Sequence, residues 1–284
     1  MALSSARVRI VTDTTATLDQ SYASAHRVEV VPQVVLFGDE SFLEEKELSY
    51  AEFIRRLKAS SQLPKTAAPP PGELVNAYRR QLAEADTILS IHPSTDISGT
   101  VRSAETAKED FPGADIRILD SRTVGGNLAT FVQLAVAWAE SGVSADDILA
   151  RLQALIPRGR IYFLVATLEY LQKGGRIGGA AALIGSVLQI KPLLELRDGH
   201  IEPLEKVRTH HLALARLSEL VRERCPRSPA AHLCVMHADD EREAQNLARD
   251  LQTNLGADAI PIYHLGAAIT THAGPGALAV GFFQ

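Results

Sequence analysis

The chain has 284 residues, of which 46% are apolar and 22% charged. That is enough apolar material for a sizeable core, and it excludes a disordered chain. Lys and Arg number 29 against 34 Asp and Glu, a formal net charge of −5, so a basic nucleic-acid footprint is not the main business of this surface.

In chain order, the first half alternates short β-branched runs with helical patterns. Strands are predicted over 8–12 and over 28–36, the second broken near Pro32, with the polar loop Asp13-Thr14-Thr15-Ala16-Thr17 between them. Ser49 is the expected N-cap of a helix that carries Tyr50, Phe53, Ile54 and Leu57 at helical spacing. A Ser-, Ala- and Pro-rich loop over 59–71 precedes a helix over 73–84, a strand over 86–92, a helix over 99–109 and a strand over 115–119. Helices follow over 128–141 and 145–155. This alternation implies parallel βαβ units, with polar loops at the strand C-terminal ends.

The pattern changes after Pro157-Arg158-Gly159. A strand over 161–165, a short helix over 168–173, a glycine cluster over 174–179 and an apolar helix to about residue 188 come first. Strands over 190–197 and 201–207 read as a hairpin turned at Asp198-Gly199. A helix over 210–224, a strand over 231–237, a helix over 241–255 and a strand over 259–264 follow, and two further strands are expected over 268–271 and 278–283. The expected fold class is α/β in two domains: an N-terminal parallel βαβ domain over 1–157 and a C-terminal α/β domain with a mixed sheet over 158–284.

Familiar local signatures are absent. There is no P-loop, no dinucleotide fingerprint after the first strand, no HExxH and no GxSxG elbow. Cys225 and Cys234 lack CxxC spacing and read as small buried residues, and His210-His211 point in different directions on a helix, so no metal site is expected. No signal-peptide core or long uncharged apolar run appears. The expectation is a cytoplasmic protein without stable membrane insertion, and a monomer, because no assembly seam is visible.

Four loops carry the unusual polar chemistry. In Ser94-Thr95-Asp96-Ile97-Ser98-Gly99-Thr100, Ser98 sits where an N-cap hydroxyl would, and the amides of Gly99 and Thr100 follow. That is either plain capping or an anion site. Pro69 makes the preceding segment extended, so Thr66 is able to present its hydroxyl into a cleft, or the segment is an ordinary linker. Gly174 reads as the glycine just past a short helix, and Arg176 behind it could grip a carboxylate or phosphate. His272, in Thr271-His272-Ala273-Gly274-Pro275-Gly276, could exchange a proton or be structural. Arg208-Thr209, after a strand, is a weaker fifth candidate.

These loops, in this order, resemble the DegV family of bacterial lipid-binding proteins. The matching residues are Thr12-Asp13-Thr14-Thr15, Thr66 before Pro69, Ser98-Gly99-Thr100, Asp120-Ser121, Leu168-Glu169-Tyr170-Leu171-Gln172-Lys173-Gly174-Gly175-Arg176-Ile177, Ile190-Lys191-Pro192, Glu205-Lys206-Val207-Arg208-Thr209 and the His272 loop. The resemblance implies a long-chain fatty acid held between two α/β domains, its carboxylate met by the hydroxyls at Thr66 and Ser98, with Gly99 and His272 beside it. It further implies that a separate fatty acid kinase phosphorylates the bound acid, and that Arg176 and Arg208 lie near the head group or the kinase-docking surface. No cofactor is implied beyond the bound acid, and the chain itself is not expected to be an enzyme. The sequence departs from the family's frequent Thr-Ser-Gln-Pro at Thr66-Ala67-Ala68-Pro69, which removes one hydroxyl and one amide.

Physical chemistry permits such a ligand. A long acyl chain has about 14 methylenes, whose burial is worth at most roughly 11 kcal/mol before ordering costs. The apolar stretch over 180–188 could line a tunnel or simply pack the core. A buried carboxylate needs donors, and hydroxyls with helix amides supply them. Two other readings stay open: a lipid-sensing regulatory module, and a hydrolase or acyl transferase with His272 as base and Ser98 as nucleophile.

Overall fold

The computed structural model describes residues 7–184, 191–257 and 259–284. In chain order the elements are β1 (Val8–Asp13), α1 (Gln20–Ala25), β2 (Glu29–Val31), β3 (Val34–Phe37), β4 (Glu40–Leu43), α2 (Tyr50–Ala59), β5 (Lys65–Ala67), α3 (Pro71–Leu82), β6 (Thr87–His92), α4 (Thr100–Lys108), β7 (Asp115–Asp120), α5 (Gly125–Glu140) and α6 (Ala145–Leu155). Then come β8 (Gly159–Leu164), α7 (Glu169–Lys173), β9 (Lys191–Arg197), β10 (His200–Val207), α8 (His210–Arg224), β11 (Cys234–His237), α9 (Glu241–Leu255), β12 (Ile262–His264), α10 (Ala267–Ala273) and β13 (Leu278–Phe283).

Three sheets result. The first is all parallel, in the order β2-β1-β6-β7. Its central strands are buried along their length, as expected when helices cover both faces of a parallel sheet. The second is mixed, in the order β10-β9-β8-β13-β11-β12, with only β11 and β12 parallel. The third is a small antiparallel sheet, β4-β3-β5.

The break at Pro32 has a large consequence. β2 and β3 are not one bent strand but members of two sheets, since the chain leaves the parallel sheet at Val31 and enters the small one at Val34. The segment around Thr66, read as an extended loop, is paired: Thr66 lies opposite Val35 in the β3–β5 ladder. The Asp198-Gly199 turn is where the sequence puts it, with both residues at positive φ as a tight two-residue hairpin requires.

Two elements differ from expectation. The strand expected over 268–271 is the helix α10. Its short apolar run suits either state, and the Thr270 and Thr271 hydroxyls settle into the helix by donating to the carbonyls of Leu265 and Ala267, at 3.1 and 2.8 Å. The apolar helix expected after the glycine cluster is a 3₁₀ segment, Gly178–Leu183. The rest of that run, 185–188, lies outside the described residues.

The N-terminus of α5 meets the mixed sheet at van der Waals distance. A Cβ on Gly126 would fall 2.6 Å from the Cys234 Sγ, and one on Gly125 2.8 Å from the Met236 Sδ. Asn127 donates to the Arg160 carbonyl at 3.1 Å. One helix thus packs under the parallel sheet with Leu128, Phe131 and Val132 while its first turn abuts β8 and β11. Both cysteines are buried and free. Among the described residues, no helix is long and apolar enough to cross a membrane and no cluster of potential metal ligands occurs.

Candidate functional site

A cleft of about 200 Å³ lies where the loops of the parallel sheet, the small sheet and α10 face the mixed sheet. Its apolar wall comes from Ile161 and Phe163 of β8, Leu196 of β9, Met236 and Ala279. Its polar residues are Thr15, Gln33, Thr66, Ser98, Arg176 and His272.

Thr66 and His272 meet directly, with the hydroxyl oxygen 2.7 Å from Nε2. β5 delivers Thr66, and the last turn of α10 delivers the imidazole. His272 Nδ1 is buried without a hydrogen-bond partner, and Gly174 packs against it so closely that a Cβ there would lie 2.2 Å away. Burial first, then the neighbouring Arg176 charge, holds the imidazole down at about 4, so it is neutral near pH 7. A buried N–H left unpaired is rarer than an unpaired acceptor, so the lone pair belongs on Nδ1 and the proton on Nε2. In this tautomer Nε2–H donates to Thr66, whose own proton is free to point into the cleft.

Arg176 is placed by a helix stop. The Gly175 and Arg176 amides donate back to the carbonyls of Gln172 and Leu171, closing α7 in a Schellman motif. The left-handed residue is Gly175, φ 72°, and not Gly174, which corrects the sequence reading. Gly174 is instead needed for its lack of a side chain beneath His272. The Arg176 guanidinium donates to the Ile97 carbonyl at 3.1 Å and the Gly174 carbonyl at 2.7 Å, tying the Ser98 loop to the glycine loop after α7.

Ser98, expected at the cap, lies one residue before it. Gly99 is the N-cap of α4, and the Ser98 hydroxyl accepts from the Thr100 amide at 3.3 Å and meets the Thr100 hydroxyl at 2.7 Å. Gly99 lines the cleft beside Ala68, its Cβ position 3.6 Å from the Ala68 methyl. Ala67 and Ala68 also line the cleft. Four sequence candidates, Thr66, Ser98, Gly99 and His272, therefore share one cleft with Arg176. Arg208 does not join them: it is exposed, just past β10, outside the cleft lining.

Behind Ser98 runs a buried polar chain. Gln33 Nε2 donates at 2.9 Å to both the Thr100 hydroxyl and Asp13 Oδ1. The Thr15 amide and hydroxyl also bond Asp13 Oδ1, while Asp13 Oδ2 faces His92 Nδ1 at 2.8 Å. His92 Nε2 meets Ser90, and Ser90 meets the Tyr78 hydroxyl, at 2.7 and 2.8 Å.

The family model described as "Uncharacterised protein, DegV family" matches residues 7–284. The chain belongs to the DegV family. Among curated relatives, the protein DegV of Bacillus subtilis is 34% identical over 274 residues, covering 96% of this chain and 98% of that one. A DegV domain-containing protein of Halalkalibacterium halodurans is 36% identical over 278 residues, with 98% of each covered. Among solved structures, a DegV family protein from Thermus thermophilus, described by its fatty acid binding, aligns at TM-score 0.89 and 31% identity over 98% of this chain and 99% of that one. DegV of Bacillus subtilis, described as a fatty acid binding protein, aligns at TM-score 0.87 and 33% identity over 99% and 100%. The α/β architecture of this DegV protein, parallel then mixed, is that of these structures.

Two residues of this DegV chain stand at the site without having been singled out in the sequence. Gln33 follows Pro32 inside an apolar run, and a lone amide in such a run is the signal that could have found it. Glu44, in a run of charged residues, carries no such signal. It is buried, bonds the Thr14 hydroxyl, and accepts from the Ala268 amide at 2.8 Å, which caps α10 from the small sheet's side of the cleft. Burial pushes its carboxyl up to about 7, with the Thr14 and Ala268 bonds opposing.

Proposed function

We propose that this chain binds a long-chain fatty acid in the cleft, between the residues of 1–157 and those of 158–284. The carboxylate would face Thr66, Ser98, Gly99 and His272, with the hydrocarbon along the Phe163 and Leu196 wall. The observation that carries this reading is the Thr66–His272 pair, which turns a hydroxyl proton into an apolar cleft beside a guanidinium. Such an arrangement suits an anionic head group on an apolar tail. The fatty-acid-binding relatives from Thermus thermophilus and Bacillus subtilis, at 31 and 33% identity, support it.

The chemistry we assign to a partner. A separate fatty acid kinase would supply ATP; a carboxylate oxygen attacks the γ-phosphorus, ADP leaves, and the acyl phosphate stays on this carrier. Exposed Arg208, and the edge of Arg176, would belong to the docking side. His272 is a weak base as held here, and its Nδ1 lacks the orienting partner that a nucleophile's base requires. That favours binding over acyl transfer.

The test is to denature the purified protein, extract it and identify co-purified small molecules by mass spectrometry. A near-stoichiometric fatty acid is the expected result. A ligand-free protein that also fails to bind added fatty acids would overturn the reading. With kinase and ATP present, acyl phosphate formation separates the carrier from a lipid-sensing module.

A further inference from the structure

The polarity of every hydrogen bond behind Ser98 is fixed from the core outward. Asp13 Oδ1 accepts the Thr15 backbone amide, a group that is only ever a donor. The Gln33 side chain therefore turns its nitrogen, not its oxygen, toward Asp13. The same nitrogen spends its second proton on the Thr100 hydroxyl, so Thr100 accepts there. Thr100 is fully buried, and among the described residues its oxygen meets only Gln33 and Ser98. Its own proton has one destination, the Ser98 oxygen 2.7 Å away. Ser98 then accepts twice, from the Thr100 hydroxyl and the Thr100 amide, and its remaining proton faces the cleft.

We propose that Asp13, Gln33 and Thr100 form a polarity relay that makes Ser98 an obligate donor, so that the cleft selects a head group that only accepts hydrogen bonds, an ionised carboxylate, over one that must donate, such as a fatty alcohol. This rests on the reading of Ser98 as a head-group contact and names the groups that set its selectivity. Gln33 and Thr100 act as positioning residues. Both Ser98 lone pairs are taken, so an alcohol O–H finds no acceptor on Ser98, whereas a carboxylate oxygen needs none.

The experiment measures affinity for hexadecanoate and for 1-hexadecanol by competition against a fluorescent fatty acid, in the wild-type chain and in two variants. Gln33→Glu, protonated beside Asp13, sets an oxygen where the amide nitrogen was: it donates to Asp13 and accepts from Thr100, which then accepts from Ser98. Thr100→Val removes the hydroxyl that occupies the Ser98 lone pair, so Ser98 is free to accept from an alcohol. In each variant the carboxylate-to-alcohol affinity ratio is expected to fall at least about tenfold. A merely structural role lowers both affinities in parallel, and an unchanged ratio in the folded variants overturns the relay. If Gln33→Glu does not fold, Thr100→Val decides alone, since it is nearly isosteric. A wild-type chain that binds hexadecanoate with an insensitive ratio removes the relay only, whereas one that binds neither probe removes the fatty-acid reading beneath it.

Discussion

Thr66 and His272 are 206 residues apart in the chain and 2.7 Å apart in space. Neither does the same work alone. The imidazole fixes which way the hydroxyl points, and the hydroxyl is the sole hydrogen-bond partner of the imidazole among the described residues. Thr66→Val and His272→Gln are expected to be non-additive for fatty acid binding, with a coupling of about 0.5–3 kcal/mol in a double-mutant cycle. Additive losses would mean that the two side chains contact the ligand independently.

Ser98→Ala is expected to weaken fatty acid binding by about 1–3 kcal/mol, because a buried acceptor loses its donor. The ligand-free protein should also melt lower, since the buried Thr100 hydroxyl and amide lose the Ser98 oxygen as acceptor. Isothermal titration with the delipidated protein reads the first effect; unchanged affinity would remove Ser98 from the head group.

Gly174→Ala should disturb the site without touching a polar group. The added methyl would sit 2.2 Å from His272 Nδ1 and 2.9 Å from the Tyr170 carbonyl. Relief requires the imidazole to move away from Thr66. A stability loss of about 1–3 kcal/mol is expected in denaturant melts, with a parallel loss of binding. A variant that is fully stable and binds normally would show that His272 has slack that the packing denies.

Glu44 and His272 should leave opposite marks on stability as pH changes. The Glu44 carboxyl, raised to about 7 in the fold from an ordinary 4.5, keeps its proton where the unfolded chain has released it. Its contribution therefore falls as pH rises from about 4.5 to about 7 and is level above that. His272, lowered from 6.5 to about 4, is neutral in the fold where the unfolded chain is protonated, so its contribution rises between those values. The two oppose one another in the wild-type profile and separate in the variants. Wild-type stability minus that of Glu44→Gln should drop by up to about 3 kcal/mol from pH 5 to pH 8. A flat difference would place a water-exposed carboxyl at this position.

Asp13→Ala should be among the most damaging single changes. It strips the acceptor of the Thr15 amide, Gln33 and His92 at a fully buried position. A cost of about 3–5 kcal/mol is expected from chemical denaturation. Asp13→Asn, which keeps one oxygen, should cost less.

Much of this arrangement was legible before any coordinates. Ser49 announces a helix that begins where it is read, because its hydroxyl accepts the Glu52 amide, and the starts expected at 145 and 210 also hold, capped by Ser144 and Thr209. Asp198-Gly199 announces its hairpin by the positive φ that the turn demands. What was not legible depended on distance in space. β3, β4 and β5 are too short to show alternation, and only their mutual pairing makes them strands. α10 reads as a strand because its seven residues, apolar or threonine except for His272, show no polar face to reveal a helical period. Thr66, Ser98 and His272 could be named from loop chemistry and family resemblance. Gln33 could be weighed only once Asp13 and Thr100 were seen on either side of it, and Glu44 only once the α10 amide stood above it.

The strand order of the mixed sheet bears on when the site can exist at all. β13, the last strand, lies between β8 and β11 and joins them through antiparallel ladders. Until it emerges from the ribosome, β8 has no neighbour on that side and Ala279 is missing from beside Phe163 in the wall. Thr66 and Ser98 are synthesised long before His272, yet they have nothing to close against. A nascent chain short of β13 therefore lacks the completed cleft. On the fatty-acid reading, loading would follow translation of β13.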